Sequence, residues 1–540
     1  MDDGQYPRHD EFRKTLRTRH GVIIALANIS PTVSIGIGLG FLAAVAGTSL
    51  PAAFLLAALP ILAVSGGYAR LAARDPNCGT AYIWVRRALG PWTGYLTGWT
   101  AVATNIMFLS YAGQLTGQFT LQLAHETGLF STESTLAVTL TGLLWTGLIV
   151  IGAVRGVKGA TAVQSVLLGL SAVVVLTVVV TAFARGDAAP VQASWFSPFA
   201  FPDTLTLLSA TVLAAYMFWG WESAFSVVEE NAEARSSGRA GLIAIVVTLV
   251  LFLIGATGFL HALTPGQLAD PLAGITELSR AFYGTGGAIA AVAAMLAATV
   301  ACMQSSVIAG SRLTLAMGRD GVLGPGWARL HPTRRTPVTS TLRTAGIAVA
   351  LSVAGLAVGE LSEVVLAVVN SVGILVSLMY GVGGWACVVT FRHELRGGRL
   401  RDVLAVGVLP ALGGTALLLL GALVAHQQWT SVDHMAFDPE NGRFLTALPL
   451  GAVLLGVPAA LWTRYRRKAA YFTRPAPPLA PAQSSPSSPF SPSGASSLAG
   501  PATESTSTSE PNSESEPKTD SGPNSESTST STSKSPGVSA

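Results

Sequence analysis

The chain has 540 residues, 50% hydrophobic and 11% charged, with a mean hydropathy of +0.50. Values this apolar exclude a water-soluble globular domain and a wholly disordered chain, leaving a polytopic membrane protein. The net charge of +4 comes from basic residues scattered over short loops without aromatic interleaving, which argues against a nucleic-acid surface.

Residues 1–20 form a basic tail ahead of the first apolar run, which is too long and too poorly equipped with a small-residue cleavage site to read as a removable signal. About 20 apolar residues suffice to cross a bilayer. Twelve such runs follow: 21–47, 50–69, 92–122, 134–154, 159–184, 204–228, 240–262, 286–316, 338–357, 362–390, 403–425 and 445–462. An all-α protein with twelve membrane helices is the expected fold. With the N-terminus inside, Lys and Arg concentrate on the cytoplasmic side, in the tail and in loops such as Arg70–Arg87, Arg319–Arg343 and Arg392–Arg401. The opposite loops carry only Arg185, Arg280 and Arg443. That bias places both termini in the cytoplasm of a multi-pass cell-membrane protein. Cys78, Cys302 and Cys387 are an odd number in spans or cytoplasmic loops, so no disulfide framework is expected. From 475 to 540 the chain turns Ser/Thr/Pro/Glu-rich, the composition of a disordered tail.

Within the first run, SPTVSIGIGLGF (Ser30 to Phe41) holds a proline, three glycines and three hydroxyls. Pro31 removes a backbone donor, and Gly36, Gly38 and Gly40 each lower helix propensity by about 1 kcal/mol against alanine. In lipid, unwound backbone is tolerated only where protein or a polar cavity satisfies it. A kinked helix with small residues for close packing is the alternative. The sixth run interrupts similarly, in FWGWESAFSVVEE, where Gly220 lies between two tryptophans and Glu222 is a carboxylate at membrane depth. Paired interruptions at matching places in two halves point to an inverted-repeat transporter, here with repeats of about 21–184 and 204–390 and two further helices over 403–462, within a transporter domain of 21–464.

Four stretches in order resemble the amino acid-polyamine-organocation superfamily of secondary transporters: YARLAARDPNCGTAYIWVRRALGPWTGYLTGW at 68–99, RGVKGATAVQ at 155–164, FWGWESAFSVVEE at 218–230, and GSRLTLAMGRDGVLGPGWARLHPTRRTPV at 310–338. The resemblance implies a leucine-transporter-like fold, a small-molecule substrate at the bilayer centre, amino acid uptake or exchange by alternating access, and no cofactor. Amides of the broken first helix would meet an anionic substrate group. The implied register puts that break at Thr32, Val33 and Ser34, within a bracket of Ser30 to Gly38 that includes Gly36. Carbonyls around Gly220, with Glu222, would meet an amino group, and Phe218 and Trp219 would close over it. Ordinary helix packing is the other reading of the two aromatics. Asn105 and Gln304 are further candidates for the cavity wall, although interhelical hydrogen bonding is the commoner use of such amides.

Arg70 stands where the family often has glutamate. The fifth-helix lysine of proton-coupled relatives maps onto Ser171, so that amine is absent. Sodium-coupled relatives use first-helix carbonyls and eighth-helix hydroxyls, and the count lands near Ala301 and Cys302, with Ser305 and Ser306 one turn on. The coupling ion therefore stays open between proton and sodium. Glu222 has two readings, a proton carrier and a structural acceptor for donors freed at Gly220. Histidines without metal-ligand spacing, and the lack of a nucleophile elbow or phosphate loop, argue against an enzyme. Polyamines or other organic amines are the alternative substrates, and a transporter-derived nutrient sensor signalling through the tail is the alternative function.

Overall fold

The computed structural model describes residues 12–131, 134–233, 235–269, 274–355, 361–396, 399–430 and 442–475. The expected disordered tail, apart from residue 475, lies outside these residues, as does most of the basic N-terminal tail.

The first apolar run is not one rod. Helix α1 (Thr18–Ile29) stops at Ser30, whose φ of 51° and ψ of 66° are left-handed. Helix α2 (Pro31–Val33) restarts at once, a π-helical turn covers Ser34–Gly38, and α3 (Leu39–Ala46) completes the crossing. The break thus falls at Ser30, at the edge of the bracket, rather than at Thr32–Ser34. A proline disfavours the right-handed helical region for the residue before it, and its own missing N–H costs nothing at the first position of a new helix, so Ser30–Pro31 suits the place where one helix ends and the next begins.

Helix α4 (Leu50–Arg74) follows, then α5 (Ala81–Leu89), α6 (Pro91–Glu126), α7 (Thr135–Arg155) and α8 (Val157–Arg185). Helix α9 (Thr204–Met217) ends at the second interruption, and only the single turn α10 (Ser223–Ser226) lies beyond it. Then come α11 (Ser236–Ala262), the short α12 (Pro265–Leu268), and α13 (Gly274–Arg319), which Gly284 breaks with a φ of 65°. Helices α14 (Val338–Gly355), α15 (Leu361–Thr390), α16 (Arg392–Leu395), α17 (Leu400–Val403), α18 (Leu409–Thr430) and α19 (Gly442–Leu461) complete the described chain.

Among the described residues, nine segments are long and apolar enough to cross a membrane, the first of them, Thr18–Arg74, holding two of the predicted runs. Helix α6 is not one of the nine although it is 36 residues long. Its polar residues, including Thr100, Thr104, Asn105 and Gln114, are buried against other helices. Leu136, Leu140, Leu144 and Leu148 form a stripe one helical turn apart along α7, each more than half exposed. Such a stripe suits lipid, where apolar surface carries no penalty. The interior runs the other way: α13 packs against α6, α8 and α1, and α4 against α11, α18 and α9.

At the arginine-rich end, hydrogen bonds and ion pairs tie distant segments together. Thr15 N and Leu16 N both donate to Glu230 O at 3.0 Å, joining the chain ahead of α1 to the segment after α10. Buried Arg312 pairs with Glu230 at 2.9 Å, and Arg319 with Glu229 at 2.8 Å. Two of the motifs read from the sequence, 218–230 and 310–338, are therefore bolted to each other. Arg70 makes a half-exposed pair with Asp402 at 3.4 Å. The three cysteines are free and buried. At the same end, burial pushes the Asp75 carboxyl up despite Arg87 beside it.

Candidate functional site

The two interruptions meet. Gly220 has a φ of 118°, open to glycine and strained for any other residue, and a Cβ there would lie 2.8 Å from Asn28 C and Ile29 N. The second break can therefore rest directly on the last residues of α1 only because residue 220 has no side chain. Asn28 Nδ2 reaches Gly220 O at 3.5 Å, and Ser223 Oγ donates to the same carbonyl at 2.6 Å.

Beside this junction lies a cavity with about 460 Å³ of unoccupied space, counting the part open to solvent. From the first break it is lined by Asn28, Ile29, Ser30, Val33 and Ser34; from α13 by Thr299 and Cys302. Tyr216 and Met217 come from the end of α9, Trp219 from the second break, and Phe108, Tyr111, Ala112 and Leu115 from α6. Regular i to i−4 bonding in the second half begins with Ser34 N donating to Ser30 O at 3.0 Å, so the amides just before it lack a helical partner. Ser30 Oγ donates to Ala298 O at 3.4 Å and Ser34 Oγ to Ile29 O at 3.3 Å.

Of the expected site residues, Ser30, Val33, Ser34 and Trp219 line the cavity. Thr32, Gly36, Phe218, Gly220, Glu222, Asn105 and Gln304 do not. Thr32 is buried one helical step away from the lining face. Gly36 provides close approach instead, since a Cβ there would meet Met295 Sδ at 2.5 Å. Phe218 is fully buried between Phe54 and Phe252, ring centroids 6.3 and 5.2 Å away, so it packs the interior while Trp219 meets Phe108 edge-on at 5.2 Å beside the cavity. Asn105 Nδ2 donates to Ser306 O at 3.1 Å. Buried Gln304 faces α7, with its Nε2 3.1 Å from where a Cβ on Gly152 would stand. Asn105 thus joins α6 to α13, as such groups commonly do.

Glu222 turns away from the cavity. It accepts from Gly220 N at 3.1 Å and from the Tyr380 hydroxyl. Tyr68 and Trp221 complete an aromatic box, Trp221 lying 5.3 Å from Tyr380 and 5.2 Å from Tyr68 by ring centroid. Gly383 makes room for Tyr68.

Ser171 bonds within its own helix, to Leu168 O at 3.0 Å. The α8 residue that reaches the α1–α13 junction is Gln164, one turn along from Ala160: its Nε2 donates to Ala301 O at 3.1 Å and to Ser305 Oγ at 2.8 Å. Ser305 Oγ in turn donates to Ile24 O at 3.0 Å, and Ser306 Oγ to Asn28 Oδ1 at 2.6 Å. Sequence reasoning missed Gln164, Asn28 and the α6 face, although Phe108, Tyr111, Ala112 and Leu115 carry the i, i+3, i+4, i+7 spacing of one helix face.

A family model described as amino acid permease matches residues 22–453, a span that includes both breaks, the cavity and the paired motifs. The chain belongs to the amino acid permease family. The permease is thus a multi-pass membrane transporter of the amino acid-polyamine-organocation superfamily, as the motifs implied. It is 28% identical over 373 residues to an uncharacterized transporter of Mycobacterium tuberculosis, covering 64% of this chain and 74% of that protein. It is 26% identical over 350 residues to a low-affinity putrescine importer of Escherichia coli, covering 63% and 74%. It is 28% identical over 323 residues to a methylthioribose transporter of Bacillus subtilis, covering 57% and 68%. Together these relatives support a permease for a small organic substrate.

Proposed function

We propose that the permease is a secondary active transporter that takes up or exchanges amino acids by alternating access. One observation carries this reading: two interrupted helices rest on each other at Gly220 and Asn28–Ile29, beside a cavity lined by both. A substrate carboxylate would meet the unpaired amides before Ser34, which lie at the positive end of a restarted helix. Its amino group would meet the carbonyl ends of α1 and the second break. The reading includes twelve crossings, inverted repeats over about 21–184 and 204–390, and cytoplasmic termini, supported by the basic bias of one set of loops. The ion-paired arginine-rich end would then be the closed cytoplasmic gate, and its opening the second half of the cycle.

The relative named a putrescine importer favours a second reading, an organic amine substrate. Uptake of labelled amino acids and amines into proteoliposomes, with proton and sodium gradients imposed separately, tests both readings and the coupling ion. Ser34→Trp should abolish uptake by filling the cavity while leaving the protein folded in detergent; wild-type affinity in that variant would overturn the binding site.

A further inference from the structure

The residues lining the cavity fall into two chemically different groups. One group carries polar atoms: Asn28, Ser30 and Ser34 from the first break and Thr299 from α13. The second group forms a wall from the α6 face of Phe108, Tyr111, Ala112 and Leu115, joined by Tyr216 and Met217. All four α6 residues are at least nine-tenths buried. The two phenolic oxygens on this wall bond to each other at 3.0 Å, so one of the two hydroxyl hydrogens is used within the wall. Among the described residues lining the cavity there is no Asp, Glu, Lys, Arg or His. The nearest carboxylate in the second break, Glu222, is engaged by Tyr380 and Gly220 N.

Resting on the amino acid reading above, we propose that this wall is a side-chain subsite selective for uncharged, bulky apolar groups, so that the permease takes amino acids such as leucine, methionine or phenylalanine and rejects basic and acidic amino acids and diamines. A substrate's α-amino and α-carboxyl groups find backbone partners at the break. A second ammonium against this wall would lose its water and gain aromatic faces and neutral hydroxyl oxygens, neither of which replaces a counter-charge for a desolvated ion. A carboxylate there would meet ring faces, which are negative. An apolar side chain loses nothing on leaving water and fills the wall by contact.

The test is direct uptake of radiolabelled leucine, phenylalanine, lysine, glutamate and putrescine, each supplied separately to proteoliposomes holding the full chain. Leucine and phenylalanine should be transported with kcat/KM at least about tenfold above the other three. Lysine or glutamate handled as well as leucine would overturn the subsite while leaving an amino acid transporter standing. Putrescine alone, or none of the five, would overturn the amino acid reading and the subsite with it. A second arm sharpens the result: Leu115→Asp should move the lysine-to-leucine ratio about tenfold towards lysine relative to Leu115→Asn, which matches it in size and polarity without the charge. An active Leu115→Asp with an unmoved ratio would also overturn the subsite.

Discussion

The two helix breaks differ in what makes them. At Ser30 one residue turns left-handed and the helix resumes at the next position with Pro31, so the interruption is a single residue long. From Phe218 to Glu222 no regular α-helix forms, and the segment keeps its shape through contacts with other elements: Asn28 under Gly220, Ser223 on the Gly220 carbonyl, and Tyr380 on Glu222. A local break survives mutation of its neighbours; a break held by tertiary contacts does not.

The largest effect should come from the second break. Gly220→Ala adds a Cβ at positive φ against the backbone of Asn28 and Ile29, which neither segment can easily yield. We expect loss of uptake and a destabilisation of about 3 kcal/mol, read by thermal unfolding in detergent. Wild-type uptake would mean that the two breaks do not rest on each other in the working protein. Glu222→Gln keeps an acceptor for Tyr380 and removes the charge, so the fold should hold while the pH profile of uptake changes. An unaltered profile at normal flux would leave Glu222 a purely structural role. The smallest effect belongs to the first break: Ser30→Gly should stay within about 1 kcal/mol of the native protein, because glycine accepts the left-handed backbone. Ser30→Val should lose on the order of 1–2 kcal/mol, since a branched side chain resists that conformation. Equal stability of the two variants would show that Ser30 is not held left-handed.

Much of this was legible in the amino-acid order. The apolar runs coincide with helices, and Pro31 and Gly220 mark both interruptions. The first break was read a few residues late, because a register taken from resemblance outweighed the local bias against helix in the residue before a proline. The membership of the cavity was less legible. Phe218 and Trp219 are adjacent and chemically alike, yet one packs between Phe54 and Phe252 and the other borders the cavity. Glu222 looked aimed at a substrate, and it faces Tyr380, a residue 158 positions away. Nothing near either residue in the chain encodes which way it turns.

By itself the sequence determined that the chain lives in a membrane, where its helices are interrupted, and which superfamily it resembles, because hydropathy, proline and glycine act on their immediate surroundings. Only the tertiary structure decided which side chains share the cavity, that Gln164 bridges α8 to α13, and that Arg312 and Glu230 join two distant motifs. Those outcomes depend on the rotation of one packed helix against another, a property of close-packed pairs that no single segment contains.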